Sequence, residues 1–168
     1  ADTKGSKSVA IGRMALLSQN LTSATDVYNT AVGHNAGQQI TTGVQNTFLG
    51  GLAGDANTTA SNNTALGYNA MSANTTGDSN VAIGSQAFIT NTVGDRNVAV
   101  GVGALETFNP ASNADTYNIG VGYAAGGSIS TGVENTLIGG LAGDALTDAD
   151  FNVAVGKEAL TTDTKGSK

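Results

Sequence analysis

The chain has no cysteine and no tryptophan, and it has one proline and one histidine. Without cysteine, no disulfide staples the fold, and neither a Cys–His nucleophile pair nor a thiolate metal site can be built. A lone histidine rules out a His-rich zinc site, and a Ser–His–Asp set would have to pass through His34. Charged residues are scarce, at 12 %, with seven Lys and Arg against 13 Asp and Glu. The few basic residues are scattered, so no electrostatic footprint for nucleic acid exists. No apolar run reaches the length of a membrane-spanning helix, and no signal peptide is present in this window. Helix is excluded on similar grounds: 24 glycines interrupt every candidate stretch, and no apolar stripe at 3.6-residue spacing persists.

What the chain does have is a period. Nine glycines, Gly12, Gly33, Gly50, Gly67, Gly84, Gly101, Gly122, Gly139 and Gly156, are each preceded by an aliphatic residue and followed three residues later by alanine. Their spacings are 21, 17, 17, 17, 17, 21, 17 and 17 residues. A short period held this strictly marks a solenoid in which each repeat is one coil stacked on the last. The chain therefore reads as all-β, a parallel β-solenoid of nine coils forming one elongated domain over residues 1–168.

Counting from each glycine as zero, position −1 is Ile11, Val32, Leu49, Leu66, Ile83, Val100, Val121, Ile138 and Val155. Position −3 is β-branched in every coil, from Val9 and Thr30 to Val153. Two positions two residues apart share one face of a strand, and this face is expected to point inward. Position −2 then points out; it is alanine in six coils, with Phe48, Gly120 and Leu137 as exceptions. Position −4 is asparagine in eight coils, Asn29 through Asn152, with Ser8 in the ninth. Stacked at roughly 4.8 Å, such a column can form an amide ladder. A column of eight reads as scaffold, since catalysis needs one asparagine in one place. The alanine at +3 marks close backbone approach. A hydroxyl column at +8 runs through Thr41, Thr58, Thr75, Thr92, Ser130, Thr147 and Thr164. Gly43, Gly77, Gly94 and Gly132, at −7, are expected to supply the positive φ of a tight turn.

Above the coil lies a second repeat. Residues 28–54 match 117–143 at an offset of 89, and the two 21-residue coils recur at the same offset. Their four extra residues are expected to bulge at one corner. The ends also repeat: "ADTKGSK" opens the chain and "TDTKGSK" closes it, 161 residues apart, or nine coils in phase. This predicts one period of a longer tandem array, which also fits the lack of a capping helix at either end.

Candidate sites are few. His34 occupies position +1, where other coils hold Arg13, Gly51, Tyr68 or Lys157, so it reads as exposed and unconstrained. Asp144, Asp148 and Asp150 crowd one stretch, with Asp55 in the column of Asp144. Calcium needs six to eight oxygens, and the spacing matches neither an EF-hand loop nor a calcium-binding β-roll, so a solvated acidic corner is expected and calcium is left open. The expected sets of catalytic, cofactor and metal residues are therefore empty.

The units "SVAIGRMAL", "NTALGYNAM", "NVAIGSQAF" and "NVAVGVGAL" resemble the head repeats of trimeric autotransporter adhesins and similar repeats of phage tail fibres. The resemblance spans the chain and implies a left-handed parallel β-roll, three chains bundled about a common axis, and an extracellular or virion-borne stalk that attaches to surfaces. The coils are longer than those of adhesin heads, which favours the fibre-like relatives. The expected function is thus a non-enzymatic shaft or adhesive segment, outside the cell or on a virion, whose partner is itself, as a homotrimer that can continue end to end. Its receptor is not written in the repeats. Phe48 and Leu137, equivalent at the 89-residue offset, are expected to contact a neighbouring chain. The alternatives are an ice-binding or other ligand-binding β-solenoid, which needs two parallel threonine columns, and a glycan-cleaving β-helix, which needs a groove with paired carboxylates.

Overall fold

A computed structural model describes residues 5–165. The terminal heptads on which the tandem-array expectation rests fall partly outside them. Thirteen short strands lie among the described residues, with no helix: β1 (Gly5–Ser6), β2 (Val9–Ile11), β3 (Thr25–Asp26), β4 (Thr30–Val32), β5 (Thr47–Leu49), β6 (Thr64–Leu66), β7 (Val81–Ile83), β8 (Gly94–Asp95), β9 (Val98–Val100), β10 (Ala114–Asp115), β11 (Ile119–Val121), β12 (Thr136–Ile138) and β13 (Val153–Val155). The nine three-residue strands form one sheet, ordered along the chain from β2 to β13, and all pairings are parallel. Like columns pair with like: Val32 with Leu49, and Leu49 with Leu66. This is a parallel β-solenoid of nine coils, and at the strand spacing it is roughly 40 Å long.

Each strand ends at the periodic glycine, whose φ lies between 126° and 142°. A Cβ there would strike the carbonyl of the next coil's glycine, as at Gly67 against Gly84, so backbone contact fixes the residue. Three further positions per coil, −5, +2 and +4, are also left-handed, and most carry side chains: Asn62 (φ 61°), Asn69 (56°) and Met71 (56°) in one coil. An L-residue in this region costs about 1–2 kcal/mol. Hydrogen bonds between coils offset that cost: the −5 and +2 N–H groups donate to the preceding coil, as Asn69 does to the Gly51 carbonyl at 3.0 Å, and the +4 N–H to the following one, as Met71 does to the Ala87 carbonyl at 3.0 Å.

The strand parity is the reverse of the sequence expectation. Position −2 faces the core: Ala31, Phe48, Ala65, Ala82, Ala99 and Leu137 are fully buried. Positions −3 and −1 face out, with Ile11 60 % exposed, Leu49 45 % and Leu66 40 %. Phe48 and Leu137 are therefore core residues and not contacts for a neighbouring chain. The cause is the thinness of the rod. The alanines at +3, such as Ala53, Ala70 and Ala87, are fully buried on the facing wall and leave room only for small residues at −2. A shift of one residue exchanges the two faces of a strand, and the rule that aliphatic residues lie inside picks the wrong one here.

The large core residues follow a size rule between positions −2 and +4. In seven of the nine coils one of the two is large and the other small, while Ala31 with Gly37 and Gly120 with Gly126 are small at both and leave room for side chains of adjacent coils. Ala65, Ala82 and Ala99 go with Met71, Phe88 and Leu105, whereas Phe48 goes with Gly54 and Leu137 with Gly143. A Cβ on Gly54 would sit 2.6 Å from the Phe48 ring, and one on Gly37, in the preceding coil, 2.9 Å from it. Gly126 is likewise pressed by Leu105 and Leu137, each at 2.8 Å. Large side chains thus lie in the space that a glycine on the opposite wall leaves, which keeps the core close-packed. Phe88 and Phe108 stack with centroids 5.7 Å apart.

The glycines at −7 are corrected as well. Gly43, Gly77, Gly94 and Gly132 do not have positive φ. They are small because of close approach: a Cβ on Gly77 would lie 2.5 Å from Asn74 Oδ1 and from the Gly94 carbonyl.

Candidate functional site

The polar columns form continuous ladders. The Asn63 backbone N–H donates to Asn46 Oδ1 at 3.0 Å, Asn80 N–H to Asn63 Oδ1 at 2.8 Å and Asn97 N–H to Asn80 Oδ1 at 2.9 Å. Six of the eight Nδ2 groups reach the −7 carbonyl of the next coil, as Asn63 does to Gly77 and Asn80 to Gly94, whereas Asn97 and Asn152 donate to the Asp95 and Asp150 carbonyls of their own coils. The column is buried from Asn29 to Asn152. Side-chain capping of this kind satisfies the backbone groups of a corner that would otherwise be buried unpaired.

The hydroxyl column is also committed to the next coil. Thr41, Thr58 and Thr75 donate to the carbonyls of Thr58, Thr75 and Thr92 at 3.0–3.1 Å, and Thr147 to Thr164. A third ladder runs at position −6, where Asp78, Asp95 and Asp150 accept the backbone N–H of Ser61, Asp78 and Val133. Sequence reasoning passed over this ladder and over a second buried asparagine column at +7, Asn57, Asn74 and Asn91. Its signal was the same 17-residue spacing, masked because Ile40, Phe108, Ile129 and Leu146 share the column.

His34 is exposed, as expected, with Nε2 3.1 Å from an Arg13 guanidinium nitrogen. The acidic stretch does not close into a site. Among the described residues, no group of three or more His, Cys, Asp or Glu could hold a metal ion. Asp150 is spent on Val133 N–H, and Asp148 accepts the Thr147 hydroxyl at 3.3 Å. Asp55 and Asp144 each bury one unpartnered carboxylate oxygen, and burial pushes the Asp55 carboxyl above its ordinary value of 3.8.

The four-residue insertions do bulge: residues 22–24 and 111–115 are exposed. Each adds a short parallel pair, β1 with β3 and β8 with β10, and carries the same trio. Lys7 pairs with Asp26 at 2.6 Å, and Asp26 accepts the Tyr28 hydroxyl; Arg96 pairs with Asp115, which accepts the Tyr117 hydroxyl at 3.1 Å. Exposed ion pairs of this type contribute little stability.

The outer face of the nine-stranded sheet runs as one continuous strip along the stacked coils. Position −1 is aliphatic in all nine coils, and position −3 is Val or Ile where it is not Thr30, Thr47, Thr64 or Thr136. Neither column holds a charge. The bordering positions −5 and +1 carry Tyr28, Tyr117 and Phe151 on one side and Tyr68 and Tyr123 on the other, all exposed. An uncovered sheet face ordinarily alternates to polar residues, and this one does not.

No protein-family model, curated protein or solved structure matches the chain.

Proposed function

We propose that the chain is a non-enzymatic shaft segment of an extracellular or virion fibre, which projects from or attaches to a surface as a parallel homotrimer. One observation carries the reading: each coil spends its asparagine, threonine and backbone hydrogen bonds on the next coil, so the recurring chemistry of the repeat maintains a stiff rod. Rows of identical contacts suit a spacer, whose length is set by coil count. Function then resides in reach and in what the rod displays, including the exposed insertions at 22–24 and 111–115.

The ice-binding alternative places threonines at the surface to meet ordered water. The +8 hydroxyls do not favour it, because they donate to protein carbonyls. The shaft reading is tested by labelling intact cells and particles of the source organism with antibodies to the chain, viewed by electron microscopy. Label along thin surface filaments is the expected result. Label seen only after lysis overturns it.

A further inference from the structure

We infer that the outer face of the nine-stranded sheet is the surface through which copies of this chain pack side by side. The inference rests on the fibre reading for its setting and, for its content, on outward residues that are exposed, such as Leu49 and Leu66, or half-buried, such as Ile83 and Val100. Val, Ile and Leu fill 14 of the 18 positions in the two outward columns, more than the core-facing column of the same strands holds. The strip and its bordering columns measure roughly 40 Å by 20 Å, from strand spacing and rise per residue. That is about 800 Å² per copy, the size of a standard stable interface. The apolar −3 and −1 columns form its centre, about 400 Å², and the bordering columns add a mixed rim that includes Lys7, Arg13, Arg96, Glu134 and Lys157.

The occupant is a second copy of this chain for three reasons. The side-chain rows repeat at the strand spacing over nine coils, and a parallel copy presents rows of the same spacing along the whole rod. Net charge −6 opposes self-association where like charges meet; the −3 and −1 columns carry no charge, and the bordering columns carry one acidic residue, Glu134, against Lys7, Arg13, Arg96 and Lys157. The exposed rings of Tyr28, Tyr117, Tyr68 and Tyr123 border the strip, in keeping with the aromatic enrichment of interfaces. The contact therefore runs through Ile83 and Val100 at the centre of the face, and not through the alanine column, which is buried.

Sedimentation equilibrium of the full chain over a wide concentration range tests this, with a protomer mass of 16.6 kDa. The wild type is expected to reach a multiple of that mass. The double variant Ile83→Glu, Val100→Glu is expected to sediment as a monomer with an unchanged circular dichroism spectrum. Thr76→Glu, exposed at a corner outside the strip, is expected to behave as wild type. If the double variant fails to fold, Val81→Thr with Val98→Thr replaces it, because threonine already occupies this column in four coils. Its association is expected to weaken tenfold or more. A wild type that stays monomeric at every concentration overturns the inference, as does association that none of these folded variants weakens. A monomeric wild type that is still a rod by solution scattering defeats this contact and the homotrimer with it, and leaves the shaft role itself standing.

Discussion

Replacing Phe48 with alanine separates the two possible parities of the strand. Phe48 has no exposed surface, and its ring fills the space above Gly37 and Gly54. Truncation of such a side chain costs about 3–5 kcal/mol, because it leaves a cavity that the stacked backbone cannot close. An outward Phe48 would cost well under about 1 kcal/mol, in the range of ordinary surface changes. The size rule adds a sharper test. Gly54→Met alone drives a side chain into the Phe48 ring, and overpacking of this kind costs about 1–3 kcal/mol. Combining Phe48→Ala with Gly54→Met reproduces the Ala65–Met71 arrangement, and Met71 already tolerates the same left-handed backbone (φ 56°, against 57° at Gly54). The double variant is therefore expected to be more stable than Phe48→Ala alone, with a favourable coupling of about 1–3 kcal/mol. Urea titration followed by circular dichroism, paired with amide exchange at Asn46 and Asn63, reads both the global and the local loss. Strictly additive costs, or a Phe48→Ala variant as stable as wild type, would refute the packing described.

Three other perturbations follow from the ladders and the buried carboxylate. Asn80→Ala strips the acceptor of Asn97 N–H and the donor to the Gly94 carbonyl, at about 1–3 kcal/mol for each buried group left unpaired, with exchange rising first at Asn97. Gly67→Ala places a Cβ against the Gly84 carbonyl and is expected to lower the melting temperature far more than the ~1 kcal/mol typical of point mutations allows. Burial raises the folded-state pKa of Asp55, so the folded chain binds more protons, and its stability falls as pH rises from the ordinary value of 3.8 through the raised one. Asp55→Asn is then expected to melt higher than wild type at pH 7, with the advantage gone at pH 3.

The period, the coil count, the parallel stacking and the asparagine ladder were legible because each repeats a residue type in one column. The direction of the strand faces was not. Val32, Leu49 and Leu66 look like core residues until the facing wall is known, and that wall is Ala53, Ala70 and Ala87 pressed close across a thin rod. Left-handed corners were equally hidden, since Lys7, Tyr28, Gln45 and Asn62 share a φ near 50–60° but no side-chain chemistry. The small size of the glycines at −7 is legible in the column, but contact and not torsion requires it. The outer sheet face became recognisable as the candidate surface only once this parity was known.

Thiol labelling at two adjacent positions is the most direct test of the account. The chain has no cysteine, so Ala65→Cys and Leu66→Cys each introduce a single reporter, one facing the core and one on the outer face. The L66C thiol is expected to react fast in dilute solution and to become protected as concentration rises, while the A65C thiol stays slow throughout. Labelling of A65C as fast as L66C would contradict the strand parity. Labelling of L66C at one rate across all concentrations would contradict the covered face.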